Sequence, residues 1–526
     1  MNYRECWVKN PPRIFGSAFL KNAAIILILL TNLAVSARAD TDVQQVASES
    51  SEKLIKQAKK FTQKGDFPEA EKVLRWALQT DPQNSKVKLA LAFNLLKQRR
   101  LLESYEYSSD VAKSEPKNAY AFAVLGTVFL SAGNFNQAYI SFINALGINK
   151  KEALAWAGLG SLHFYENKIL LGLENLRTAV YFEPNEPDYL FTLAQISSRS
   201  EKYNEAADAY DKFLQVSLRT DSERRDRIRG LINYLRFLGN KTSLYQLDGE
   251  LETVISFKLI NDRPIVQLKI NKESELLNFV LDTGSGMSVI SDETAKKLNV
   301  KPVARGGLAG AIGGGGKFNI VYGFLRQVSI GDVKIRNVPI YIREFHAKDE
   351  RIDGYIGLAL ISKFLTTIDY GNSIFSLKRR IPAENNKDVS VLSLPLRLTS
   401  SGFLSGEVQL QGIETPLNFI VDTGASISVI SDELANTKEI SPFLKKEKMR
   451  VIGAAGITEN VSTFLLPRVT FGSHSRESIK AAALNLNIIN ESAGFQQAGI
   501  LGGNFLKNYR LTFDFENSKV IFVPVK

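Results

Sequence analysis

Leu277–Glu293 reads LNFVLDTGSGMSVISDE, and Leu417–Glu433 reads LNFIVDTGASISVISDE. The two stretches lie 140 residues apart and are identical at 12 of 17 positions, with mild exchanges at the other five. A lone Asp-Thr-Gly recurs by chance. Two copies, each after two aliphatic residues and before Ser-Val-Ile-Ser-Asp-Glu, mark an internal duplication centred on a carboxylate, Asp282 in one copy and Asp422 in the other. Asn-Phe-Val-Leu and Asn-Phe-Ile-Val are short apolar runs that predict buried strands. Gly284 and Gly424 break those strands, so each Asp is expected at a strand-to-loop turn that presents its side chain. Ser291 and Ser431, each followed by Asp-Glu, are N-cap residues for a helix start.

A carboxylate buried at a turn is costly unless it has partners. Two side by side cannot both ionise, so the pair holds one proton. One member then serves as general base on a water while the other donates a proton to a carbonyl oxygen. That chemistry is peptide hydrolysis without a covalent intermediate, and it calls for no metal or other cofactor. The three histidines, His163, His346 and His474, are far apart in sequence and make no metal-spaced cluster. His163 falls at an apolar helix position, which predicts a packed side chain.

Asp-Thr-Gly-Ser and Asp-Thr-Gly-Ala, each after two aliphatics, resemble the active-site motif of aspartic proteases, in the short-lobed retropepsin-like form. Tyr355-Ile356-Gly357 and Ile500-Leu501-Gly502 resemble the apolar pair and glycine that pack behind the catalytic loop in that family. Matching tails follow, Phe364-Leu365 to Ile368-Asp369-Tyr370 and Phe505-Leu506 to Phe513-Asp514-Phe515. The resemblance implies that Asp282 and Asp422 are the catalytic pair. It implies that Thr283 and Thr423 cross-brace the two loops, and that Gly284 and Gly424 allow the tight turn. Ser285 matches the family's hydroxyl beside the carboxylate, and Ala425 is its plainer counterpart. Hairpin flaps are expected at Gly310-Ala311-Ile312 and Gly453-Ala454-Ala455. Four consecutive glycines, Gly313 to Gly316, depart from the usual flap. One lobe carries one Asp, so the expectation is two lobes, 254–380 and 390–526, paired within one chain across a polar linker at 381–389. The competing reading is a peptide-binding adaptor that has lost catalysis.

Upstream, a 34-residue period begins at Ser51. With units starting at Ser51, Ser85, Ala119, Ala153 and Pro187, the eighth position is Ala58, Ala92, Gly126, Gly160 and Ala194. The twentieth is Ala70, Ser104, Ala138, Gly172 and Ala206. Small residues there let paired helices approach closely. The pattern resembles tetratricopeptide repeats, which implies an all-α solenoid over 51–250, closed by a helical pair at 221–248 with a solvated outer face. Such a surface binds protein partners. The fold class expected is therefore multidomain, an all-α solenoid followed by two all-β lobes.

Residues 1–39 carry +4 of the chain's net charge of +11, and the remainder is mildly basic without an aromatic-interleaved basic motif, so no nucleic-acid partner is expected. Lys9, Arg13 and Lys21 precede a 13-residue apolar run, Ala23–Val35, and Ala37-Arg38-Ala39 fits a cleavage site. An export signal over 1–39 is expected, with a periplasmic or secreted product and membrane attachment only if the segment stays uncleaved. A short flexible lead is expected over 40–50. The single cysteine, Cys6, excludes an internal disulfide.

Overall fold

A computed structural model of the chain describes residues 36–217, 221–241, 243–271, 273–347, 351–379 and 393–525. The expected export signal lies largely outside the described residues, and the expected linker lies wholly outside them. Among the described residues no helix is long and apolar enough to cross a membrane.

The helices are α1 (Ser36–Gln63), α2 (Phe67–Thr80), α3 (Ser85–Lys97), α4 (Leu101–Ser114), α5 (Ala119–Ser131), α6 (Phe135–Ile148), α7 (Ala153–Tyr165), α8 (Ile169–Phe182), α9 (Pro187–Arg199), α10 (Tyr203–Val216) and α11 (Ser222–Gly239). From α2 onward the second helix of each pair starts every 34 residues, at Phe67, Leu101, Phe135, Ile169 and Tyr203. The first helices of the later pairs start at Ser85, Ala119, Ala153 and Pro187, in the register read from the sequence. These are tetratricopeptide-like hairpin repeats. The stretch expected as a flexible lead lies within α1, since Val43-Gln44-Gln45-Val46-Ala47 contains no helix breaker.

Compact packing divides the chain into two units, Met1–Phe129 with Ile140–Ala155, and Leu130–Tyr139 with Trp156–Lys526. In the first, Leu54, Ala58, Ala70, Leu74, Leu91 and Leu95 fill the space between α1, α2 and α3. The Ser104 hydroxyl donates to Ala92 O at 2.7 Å, so a small polar residue serves a close crossing there. In the second unit, Gly160 and Gly172 face each other across α7 and α8. A Cβ on Gly160 would lie 3.1 Å from Gly172 O, and one on Gly172 would lie 2.9 Å from Gly160 O. His163 is buried on the same seam, its Nδ1 2.8 Å from Asn175 Nδ2. It is a packed residue.

The second unit also contains both β-rich lobes. In the first lobe the main sheet includes strands Arg263–Ile270, Leu277–Leu281, Val289–Ser291, Lys317–Ile330, Val333–Arg343 and Gly354–Ile356. In the second, the matching strands are Leu404–Leu410, Leu417–Val421, Ser428–Ser431, Gly456–Phe471, His474–Leu484 and Gly499–Leu501. Registers repeat between lobes: Ile356 pairs with Leu281 in parallel, and Leu501 with Val421. Ser291 and Ser431 cap short helices, accepting from Thr294 N and Leu434 N. The tails of the two copies then meet. Strand Leu365–Asp369 pairs antiparallel with Tyr509–Asp514, placing three strands of each lobe in one six-stranded sheet. A single apolar core that includes Leu281, Ile368, Phe375, Val421, Phe513 and Phe522 runs through both lobes.

One expectation for the end of the solenoid is corrected. A helical pair does not occupy 221–248: α11 stands alone, and Gln246–Gly249 is already a strand of the first lobe, paired with Val333–Arg336. Tyr245 is buried and Leu247 packs on the same core, so the alternation of a strand begins before Leu251. The charged face of α11 is not simply solvated either. Arg227 Nη1 donates to Leu308 O at 2.9 Å, and Glu223 pairs with Lys317 at 2.9 Å. Gly230 lies so close to the Arg305 carbonyl that a Cβ would collide with it.

Other repeat turns of this unit also meet the lobes. Ser131 O accepts from Gln496 N at 2.8 Å, and Asn167 Nδ2 donates to Phe515 O at 2.7 Å. Phe495 is fully buried between Phe135 and Tyr165, with ring centroids 5.1 and 5.2 Å away. Glu201 forms an ion pair with Lys363 of the first lobe.

Candidate active site

Each Asp follows a fully apolar strand end and is tied to the strand behind it. Asp282 N donates to Ile356 O and Asp422 N to Leu501 O, both at 3.0 Å. The motif threonines then bind the two loops to each other. Thr283 Oγ1 accepts from Thr423 N at 3.1 Å and donates to Val421 O at 2.7 Å. Thr423 Oγ1 accepts from Thr283 N at 3.1 Å and donates to Leu281 O at 2.6 Å. Both threonines are wholly buried, so these bonds satisfy four backbone groups that water does not reach.

This brace sets the two carboxyls against each other, close enough that each acts on the titration of the other. Both residues stay partly accessible. Burial raises the Asp282 carboxyl well above the usual carboxylate range, and the Asp422 charge raises it further, opposed by hydrogen bonds from Ser285 and Gly284. Asp422 is also raised by burial. Its bonds with Asp282 and with the backbone N–H groups of Gly424, Ala425 and Gly284 hold it lower. Gly424 N and Ala425 N lie 2.8 and 3.1 Å from Asp422 Oδ1. Two buried carboxyls this close hold one proton between them, and the backbone donors on Asp422 favour its ionised form.

The expected reason for the glycines changes. Neither Gly284 nor Gly424 is in the left-handed region that a tight turn would need. Each instead lies against the opposite carboxyl: a Cβ on Gly424 would sit 2.7 Å from Asp282 Cγ, and one on Gly284 would collide with Asp422. Close approach, not turn geometry, demands glycine.

The residues read as flaps lie at two hairpin tips. Gly310 ends the strand Ala304–Gly310, and Ala311 and Ile312 open the turn to Lys317. Gly453 ends Leu444–Gly453, and Ala454-Ala455 make the turn to Gly456. The tips touch: Ala455 N donates to Ile312 O at 3.0 Å. The extra glycines serve this contact. Gly313 has φ +97°, and a Cβ there would strike Gly456 O. Ile312 packs onto an apolar cluster of the other lobe that includes Ala425, Ile488 and Ile500.

Arg343 escapes a reading of the sequence. It ends the strand Val333–Arg343, lies over the rings of Phe345 and Tyr355 at 4.8 and 5.5 Å, and interacts electrostatically with Asp282. The two lobes share no sequence identity around it that would mark it, and only the strand register brings it to the site.

Two segments of the chain, 266–360 and 406–505, match the aspartyl protease family model. They fall on the two lobes and include both Asp-Thr-Gly copies. Among curated proteins, the chain is 23% identical over 194 residues to the BBSome complex member BBS4 homolog of Drosophila melanogaster, covering 36% of this chain and 39% of that protein. It is 29% identical over 96 residues to the cell division cycle protein 27 homolog of Caenorhabditis elegans, covering 18% and 12% respectively. The chain thus spans well under half the length of these curated relatives. The helical repeats resemble a solved tetratricopeptide-repeat protein of Thermus thermophilus, at 18% identity and a TM-score of 0.31, covering 36% of this chain and 99% of that one.

Proposed function

We propose that this chain is an aspartic endopeptidase in which each lobe contributes one carboxylate, Asp282 or Asp422, to a single site. The observation that carries the reading is the carboxyl pair itself, brought together by two cross-braced loops, in a chain whose two lobes also touch at their hairpin tips.

The chemistry follows from the unequal protonation. Ionised Asp422 takes a proton from a water held between the carboxyls, and the water oxygen bonds to the scissile carbonyl carbon. Asp282 gives its proton to the carbonyl oxygen. In the tetrahedral diol, Asp282 recovers a proton from one hydroxyl while Asp422 protonates the departing nitrogen, and the C–N bond breaks. Both carboxyls return to their starting states. An extended peptide would lie beneath the flaps, bonded through its backbone to their strands.

The repeats are assigned recruitment of protein partners or substrates, in keeping with the surfaces that stacked helical hairpins present. Export to the periplasm or outside the cell is proposed from the basic start, apolar run and Ala37-Arg38-Ala39. Determination of the N-terminus of the natural protein tests it: a start near Asp40 is expected, and an intact, membrane-bound Met1 form would mean an anchor.

Cleavage of a broad peptide library by the full chain, beside Asp282→Asn, tests the activity. Asp282→Asn is expected to lower the rate by about 10²–10⁴-fold, the range of a lost acid–base group. Peptide binding with no cleavage by either protein would replace the peptidase with a non-catalytic adaptor.

A further inference from the structure

The duplication allows the two halves of the cleft to be compared position by position. Ser291 and Ser431 are equivalent residues of the repeated stretch. Ser291 pairs in parallel with Arg343, and Ser431 pairs in parallel with Leu484. Val289 and Val429 are likewise equivalent; their partners are Tyr355 and Ile500. The first-lobe half of the site thus presents Arg343 and Tyr355 where the second presents Leu484 and Ile500. Leu484 and Ile500 are buried in the apolar cluster that also holds Ala425, Ile488 and Ile312. Two lobes that keep the same catalytic loop have diverged in charge beside it.

Arg343 is poorly matched to its own surroundings. It is half-buried, and loss of water destabilises its charge. Its Nη1 reaches two neutral acceptors, Glu344 O at 3.2 Å and the flap-tip Ala454 O at 3.4 Å, both at the long end of the hydrogen-bond range. Tyr355 adds a side-chain hydrogen bond, and the faces of Phe345 and Tyr355 flank the guanidinium. The carboxyl that acts on it is Asp282, a member of a pair that shares one proton, so it is not a full counter-ion for the guanidinium. A guanidinium flanked by aromatic faces, near a cleft and bonded only to neutral oxygens, is suited to a bidentate carboxylate.

We propose that Arg343 forms a subsite for an acidic side chain of the substrate on the first-lobe half of the cleft, while Leu484 and Ile500 select an aliphatic side chain on the other. The substrate class is an extended peptide with Asp or Glu on one side of the cleaved bond and an aliphatic residue on the other. An entering carboxylate displaces the Ala454 carbonyl from Arg343, so the preferred residue also frees a flap tip. The turnover side of this proposal rests on the peptidase reading; its binding side does not.

The test uses the full-length chain carrying Asp422→Asn, which leaves peptides intact, and short fluorescent peptides in which one Glu is walked through a neutral, apolar sequence. A matched set carries Gln. At one position Glu is expected to bind about tenfold or more tighter than Gln, the scale of a charge-assisted bond. Adding Arg343→Leu, the residue of the equivalent position, removes that difference, and Arg343→Glu shifts the preference to Lys at the same position. The Lys preference is a gain that misfolding does not produce. Equal binding of Glu and Gln peptides, binding of neither, or a Glu preference that survives Arg343→Leu overturns the proposal. A Glu preference in binding with no cleavage by the unmutated chain leaves the subsite standing and removes the peptidase.

Discussion

Asp282 and Asp422 lie in nearly the same sequence, yet their surroundings favour different protonation states. The backbone donors around Asp422 favour its ionised form, while the Asp422 charge helps hold the proton on Asp282. Activity needs one proton on the pair. It is expected to rise as Asp422 ionises and to fall only where Asp282 loses its proton, above the ordinary carboxylate range. A pH–rate profile confined to the range of free carboxylates would contradict this. Stability has a definite sign. A folded-state pKa above the unfolded one means that the native state binds more protons, so this contribution is full below the unfolded value, about 4, and is lost as pH rises through the folded value. Asp282→Asn is therefore expected to raise the melting temperature at neutral pH, by about 2 °C for each kcal/mol relieved, while lowering turnover by the same about 10²–10⁴-fold. The threonines are predicted to matter for stability first. Thr283→Val or Thr423→Val leaves a buried carbonyl and a buried N–H without partners, at a cost of about 1–3 kcal/mol for each unsatisfied group. Denaturant titration checks this, and the double variant is expected to be less than additive because one brace is broken by either change.

At the scale of elements, the stretches read as flaps are hairpins whose tips meet through backbone. Gly313 is in the left-handed region and abuts Gly456 O, so Gly313→Ala strains the turn and pushes the tips apart. The expected outcome is a several-fold higher KM with a smaller change in kcat, since the carboxyl pair is untouched; an unchanged KM would show that tip contact is irrelevant to substrate. The residues read as flaps on the family resemblance, Gly310-Ala311-Ile312 and Gly453-Ala454-Ala455, lie at hairpin tips. Their mutual contact was not legible in the sequence, since the residues involved lie far apart in the chain. The same holds for α11. Its helical period is plain in the sequence, whereas its close approach to the strand Ala304–Gly310 depends on Gly230, which reads as an ordinary helix glycine.

For the whole molecule, the pairing of lobes inside one chain has a measurable consequence. A site completed by a second chain loses activity on dilution, whereas a tethered pair does not. Activity per mole is expected to stay constant as the protein is diluted through and below the micromolar range, and a fall with dilution would assign the site to a dimer. The six-stranded sheet shared by the lobes gives the physical reason, because strand Leu365–Asp369 finds its partner Tyr509–Asp514 within the same chain. The repeat turns at Ser131, Asn167 and Glu201 bind the lobes as well, so part of the helical surface serves the chain itself.

The sequence alone determined the repeat register, the capped helix starts, the duplicated strands and the two aspartates, because each is written in local periodicity or in a repeated string. Helix starts at Ser85, Ala119, Ala153 and Pro187 follow from spacing, and the caps at Ser291 and Ser431 from residue type. Tertiary structure alone decided that the two carboxyls share one site with unequal backbone donors, why the motif glycines are glycine, and that Arg343 stands where the other lobe has Leu484. Those features arise from groups brought together across the pseudo-symmetric seam or across strand pairings. Burial, close approach and charge act through space there, and no local pattern in the chain records them.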